Sequence, residues 1–135
     1  PVTVAWAAAT SAAGTAGGRL MIEITALAFL LMGAVALVSP HSITRWVAIT
    51  SLPVPARNEV RAVYGGYGVA MAALLVVCRD QPQWRDGVVV TLSMALLGMA
   101  VGRLLSWLVD RRLDRYPALF MVIEIVLGLG LLISL

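Results

Sequence analysis

Apolar residues along this chain come in four long runs, separated by short polar breaks. Residues 20–38 read LMIEITALAFLLMGAVALV, and comparable runs cover residues 60–78, 87–109 and 118–135. Each is close to the roughly 20 residues that a helix needs to cross the hydrocarbon of a bilayer. An open strand could not cross, because its backbone N–H and C=O groups would find no partners in lipid. The pattern therefore predicts an all-α polytopic membrane protein, with four transmembrane helices in an up-down bundle. The breaks DQPQW (80–84) and DRRLDRYP (110–117) are short and polar, which makes the spans they join antiparallel neighbours.

The first break is longer. SPHSITRWVAITSLPVPARN (39–58) offers Ser39 as an N-cap and Pro40 at the first helical position. Ile43, Trp46, Val47 and Thr50 then recur at helical spacing. A short helix lying at the membrane interface and stopping before Pro53 and Pro55 is expected here. The N-terminal PVTVAWAAATSAAGTAGG has no basic stretch of the kind that opens a signal peptide. Residues 1–19 are expected to form a flexible tail ahead of a single domain at 20–135.

Composition sharpens this picture. The chain is 61% hydrophobic and only 13% charged, against about 25% charged in a soluble domain. At 135 residues it has too much surface for its volume to hide that apolar excess from water. The net charge of +3 is carried by arginine alone, with no lysine. No polar scaffold presents a basic face, so nucleic acid is not an expected partner. Arg45, Arg57, Arg61, Arg111, Arg112 and Arg115 fall on one side of the predicted bundle, and Arg19, Arg79 and Arg85 on the other. Arginine excess marks the cytoplasmic side, which predicts a multi-pass protein of the cell inner (plasma) membrane with both termini outside.

Candidate chemistry is sparse. One cysteine, Cys78, excludes an internal disulfide, and it reads as a small apolar filler. One histidine, His41, excludes a bis-histidine haem or a histidine-rich zinc site within one chain. It is expected in the inner headgroup region. No nucleophile–base pair, metal set or phosphate loop stands out. The expectation is a non-catalytic protein without a cofactor.

What does stand out is charge at membrane depth, where each charged residue costs about 2.5–3.5 kcal/mol on insertion scales and usually faces the bundle interior. Arg103 lies in the third run and Glu124 in the fourth, nearly equidistant from the loop that joins them. At 1.5 Å rise per residue, antiparallel neighbours hold them at one depth, so a buried Arg103–Glu124 pair is predicted. The second run opens with RNEVRAVYGGYG (57–68). On an α-helix Arg61, Tyr64, Gly65, Gly68 and Ala72 form one stripe. Its glycines suit close backbone approach in lipid, and Gly98 and Gly102 of GMAVG form a GxxxG step as the matching surface. Glu59, Arg61, Tyr64, Arg103 and Glu124 are thus expected to gather in one half of the bundle. Two readings of that cluster stay open: ionic glue between helices, or a polar pocket whose arginines hold an anionic headgroup or small molecule. Glu23, behind Arg19, belongs to the opposite side.

The same residues carry a family resemblance. NEVRAVYGGYGVAMAALL resembles the opening of the second span in a family of small bacterial four-span membrane proteins of unknown function, which show an E-x-R-x-x-Y-G-G pattern. Here the pattern is met by Glu59, Arg61, Tyr64, Gly65 and Gly66. Arg103 late in the third span, Pro117 before the fourth and Glu124 within it match further positions of that family. The likeness covers roughly residues 20–135, and the architecture is loosely similar to DoxX-like four-helix membrane proteins. The resemblance implies the fold and the polar positions, and no substrate. The expected role is an accessory or stabilising subunit of a larger membrane assembly, one that handles lipids being a candidate. The partners are then membrane lipids and either that complex or a homo-oligomer. The alternative is a lipid or small-ligand binder or transporter using the arginine–glutamate cluster.

Overall fold

The computed structural model describes the backbone of residues 2–135 and the side chains of residues 16–135. In chain order its elements are α1 (Val2–Val38), α2 (Pro40–Arg45), α3 (Val54–Val60), a π-helical stretch (Arg61–Gly66), α4 (Tyr67–Cys78), α5 (Pro82–Asp110) and α6 (Arg115–Ile133). The segment from α3 through the π-helical stretch to α4 is one continuous rod. Four rods, Ala16–Val38, Val54–Cys78, Pro82–Asp110 and Arg115–Ile133, are long and apolar enough to cross a membrane. This is the all-helical, four-span architecture expected of a multi-pass membrane protein, with a short helix between the first two spans.

Prolines account for most differences in the span limits. Pro53 and Pro55, Pro82, and Pro117 all lie at helix starts: Pro53 is the N-cap of α3, Pro82 opens α5 and Pro117 sits in the first turn of α6. First-turn N–H groups have no intrahelical acceptor, so proline loses nothing there and its fixed φ favours the helix. The second, third and fourth spans therefore begin several residues earlier than their apolar runs. Of the residues expected to form a flexible tail ahead of the first span, 2–19 have a helical backbone. α1 runs unbroken from Val2, and its membrane-compatible stretch begins at Ala16.

The short helix between the first two spans is shorter than its periodicity suggests. Ser39 holds the N-cap position, but its hydroxyl meets the Ser42 hydroxyl at 2.8 Å and caps no backbone N–H. At the other end Ala48 takes a left-handed φ of 61°. The Ala48 N–H donates to the Arg45 carbonyl at 3.1 Å and the Ile49 N–H to the Thr44 carbonyl at 3.0 Å. That paired closure is a Schellman motif, which terminates a helix by satisfying its last carbonyls.

α1 packs most closely against α4 and its π-helical entry, and α5 against α6. The core between the two pairs comprises Ile22, Ala26 and Phe29 of α1, Ala72, Leu75 and Cys78 of α4, Val89, Leu92 and Leu96 of α5, and Leu127 and Leu131 of α6. Cys78 is fully buried there, its thiol directed at the Leu75 carbonyl. A second, smaller cluster joins Ala36, Ile43, Leu52 and Val60, with Trp46 packed against it. The outward faces remain apolar: Leu27, Leu31, Val76, Met94, Leu105 and Val126 are each about half exposed. Apolar surface on every rod is what lipid, and not water, tolerates.

Candidate functional site

Arg103 and Glu124 meet. Arg103 Nε donates to both carboxylate oxygens of Glu124, at 3.0 and 2.9 Å, and its Nη2 donates to Oε1 at 2.8 Å. The Glu124 side chain is only 9% exposed and that of Arg103 30%. α5 and α6 supply one partner each. The pair therefore links the two helices through a forked, charge-assisted contact, the strongest kind available to these side chains. The Arg103 guanidinium also lies 5.5 Å from the centre of the Phe120 ring, within cation–π range. Phe120 in turn packs on Trp46, ring centres 5.7 Å apart. A continuous chain of contacts thus runs from Glu124 through Arg103 and Phe120 to the segment after α2.

Arg61 has a different partner. Its Nε donates to the Leu37 carbonyl at 3.1 Å. That oxygen belongs to the last turn of α1, where carbonyls lack intrahelical donors and the helix dipole favours a cation. Arg61 is the external cap of α1. Tyr64 and Glu59 are exposed, and neither forms a hydrogen bond or ion pair among the described residues. The five residues expected in one cluster therefore divide: Arg103 and Glu124 join α5 to α6, Arg61 binds α1, and Glu59 and Tyr64 stand apart. The cause is local. Arg61–Gly66 is π-helical, with an extra residue in the turn, so the stripe drawn with α-helical spacing does not hold across it. Gly65 and Gly68 are buried while Arg61 and Tyr64 are exposed.

Gly65 and Gly68 do form a close-packing surface, but against α1. A Cβ built on Gly68 would lie 3.0 Å from both the Gly33 Cα and the Phe29 carbonyl oxygen, and one on Gly65 would lie 2.7 Å from Leu37 Cδ2. The matching glycine is Gly33, where a Cβ would come within 2.8 Å of the Val69 nitrogen. The GxxxG step of Gly98 and Gly102 does not supply that match. Both are exposed, and nothing lies within 4 Å of a Cβ built on either. Their side of α5 is turned away from the buried line through Val89, Leu92, Leu96 and Ala100. The glycine that brings α5 and α6 together is Gly128, whose Cβ would meet Leu97 Cγ at 2.9 Å and the Ser93 carbonyl oxygen at 3.3 Å. Glycine spacing identifies a candidate notch but not which helix fills it, so Gly33 and Gly128 carry no distinguishing signal in the chain.

Beyond the Arg103–Glu124 pair α5 and α6 run to the turn that joins them. They leave a cleft of about 430 Å³ lined by Arg103, Ser106, Asp110, Arg112, Leu113, Asp114 and Pro117. Ser106 donates its hydroxyl to Asp110 Oδ2 at 3.1 Å, and Arg112 Nε pairs with Asp114 Oδ1 at 2.9 Å. Apart from Arg103 and Pro117, none of these liners stands out in the sequence, since DRRLDR reads as an ordinary charged turn.

The opposite end of the bundle carries a second set of charges. Arg19 pairs with Asp80 at 2.8 Å, and Arg79 with Glu23 at 3.0 Å and Asp80 at 3.1 Å. Arg85 Nη2 donates to the Ser134 carbonyl at 3.0 Å, near the end of α6. These contacts tie α1, the α4–α5 turn and the C-terminal segment together. They are largely exposed, where each pair contributes about 0–1 kcal/mol.

The family described as a domain of unknown function (DUF4345) matches residues 18–135, so the chain belongs to it. The match agrees with the likeness to a family of four-span proteins without an assigned activity, and says nothing of DoxX-like proteins. No curated protein and no solved structure matches the chain significantly.

Proposed function

We propose that this member of the DUF4345 family is a non-catalytic integral membrane protein that serves as an accessory or stabilising subunit of a larger membrane assembly. The observation that carries this reading is the outward face of α5, where Gly98 and Gly102 form a one-turn notch open to the surroundings. Apolar side chains drive little helix association in lipid, because acyl chains are as apolar as leucine. Small residues that admit close backbone contact drive it instead. The charges at membrane depth fit a structural role: Arg103 and Glu124 pair across α5 and α6, and Arg61 caps α1. The arginine-rich face would lie in the cytoplasm and both termini outside.

Affinity capture in mild detergent tests the assignment. A membrane protein recovered at stoichiometric level with the parent, and lost with Gly98→Leu and Gly102→Leu while the variants still fold, is the expected result. A chain that elutes alone, or only as a dimer of itself, refutes the accessory role.

A second reading, a lipid-binding protein, is favoured by one specific feature: the cleft at the ends of α5 and α6 has a charged floor and a partly apolar wall of Leu113 and Pro117. It predicts that a phospholipid stays with the protein through purification, which mass spectrometry of the intact protein reads directly.

A further inference from the structure

The polar groups around the cleft are unequally satisfied. Arg103 uses Nε and Nη2 on Glu124, and its Nη1 makes no hydrogen bond among the described residues. Asp110 accepts the Ser106 hydroxyl on Oδ2 and has no cationic partner among the described residues. Arg112 and Asp114 pair with each other at the rim. Arg103, Ser106 and Asp110 are three and seven residues apart and so lie along one face of α5. Arg103 sits about 10 Å deeper than Asp110 along the axis. The cleft thus offers one free guanidinium N–H group below and one free carboxylate oxygen above.

We propose that this cleft holds the headgroup of a phospholipid that carries a primary ammonium, its phosphate accepting from Arg103 Nη1 and its ammonium donating to Asp110 Oδ1. The proposal rests on the lipid-binding reading and names the lipid class. Charge decides the class. The lining residues Arg103 and Arg112 balance Asp110 and Asp114, and Glu124 lies beneath. The lining by itself is therefore balanced; Arg112 already neutralises Asp114, and the unpaired Asp110 carboxylate beside the Arg103 Nη1 group favours a headgroup with both signs over a purely anionic one, although Arg111 and Arg115 flank the cleft. A zwitterion places each charge beside its opposite. Its order also fits, since in a bilayer the phosphate lies nearer the hydrocarbon and the amine farther out, as Arg103 and Asp110 do. A cleft of about 430 Å³ is within the range of about 300–1,000 Å³ usual for small-molecule sites. A quaternary ammonium has no N–H to donate, so phosphatidylcholine loses the charge-assisted hydrogen bond to Asp110 that phosphatidylethanolamine makes.

The test is native mass spectrometry of the delipidated full chain, titrated with phosphatidylethanolamine, phosphatidylcholine and phosphatidylglycerol of identical acyl chains. Phosphatidylethanolamine is expected to bind about tenfold more tightly than either, the fold-change worth one charge-assisted hydrogen bond. Asp110→Asn, at an exposed position outside the core, should remove that preference while leaving phosphatidylglycerol binding equal or stronger. Asp80→Asn on the opposite face should change nothing, and thermal unfolding confirms that both variants fold. Tighter binding of phosphatidylglycerol, or an Asp110→Asn variant that keeps the preference, overturns the ammonium assignment and leaves the lipid-binding reading standing. Failure of all three lipids to bind overturns both. Displacement of phosphatidylethanolamine by equimolar glycerophosphoethanolamine would show a water-soluble ligand and overturn the lipid assignment.

Discussion

Replacing Arg103 by leucine should destabilise the bundle far more than replacing Arg103 and Glu124 together. The Glu124 carboxylate is 9% exposed and takes all three of its observed hydrogen bonds from Arg103. Without the guanidinium it remains buried and without a donor, and breaking such a pair from one side costs about 3–5 kcal/mol. Arg103 keeps 30% of its side chain exposed, and residual solvation places the loss near the lower bound, about 3 kcal/mol. Glu124→Leu strands the arginine instead and should cost less, since a long side chain can move its head toward the interface. Replacing both with leucine removes both desolvation penalties, and such exchanges are often neutral. With the double variant near neutral, the coupling is the sum of the two single losses, at least about 3 kcal/mol and so at the top of the usual range. Equilibrium unfolding in mixed SDS–detergent micelles provides the four free energies. Tryptophan emission follows the transition, and Trp46, packed at a tilt against Phe120 beside Arg103, reports on this end of the bundle. A coupling below about 0.5 kcal/mol, the margin within which independent sites add, would refute the inference that the pair holds α5 to α6.

Three further outcomes are expected. Gly68→Ala should destabilise by about 1–3 kcal/mol, because its Cβ would press on the backbone of Gly33 and Phe29, which cannot yield as a side chain can; Gly98→Ala meets open space and should be neutral or stabilising in the same unfolding assay. Arg61→Gln should weaken the end of α1 by about 1 kcal/mol, the worth of one hydrogen bond, seen as faster amide exchange around Leu37 with the core unchanged. Ala48→Gly should stabilise by up to about 1 kcal/mol in chemical unfolding, since only glycine takes φ of 61° without steric cost.

The four rods, their antiparallel order and the shared depth of Arg103 and Glu124 are legible in the chain by itself. Each comes from a local rule: a run of about 20 apolar residues spans, a short link reverses direction, and a fixed rise per residue sets depth. The prolines are legible as punctuation, but Pro53, read as the stop of one helix, proves to be the N-cap of the next, and Pro82 and Pro117, read as marking links, lie in the first turns of α5 and α6. Rotation about each helix axis is another matter. It depends on which neighbour fills which notch, and side-chain spacing leaves several fits open. Only the tertiary structure sets Gly33 against Gly68, turns Gly98 and Gly102 outward, and assigns Arg61 to the end of α1. The π-helical turn at Arg61–Gly66 compounds this, because one extra residue in a turn rotates the helix on its N-terminal side relative to the helix on its C-terminal side. Length and depth are one-dimensional and can be counted along the chain; facing is settled only when all four helices pack at once.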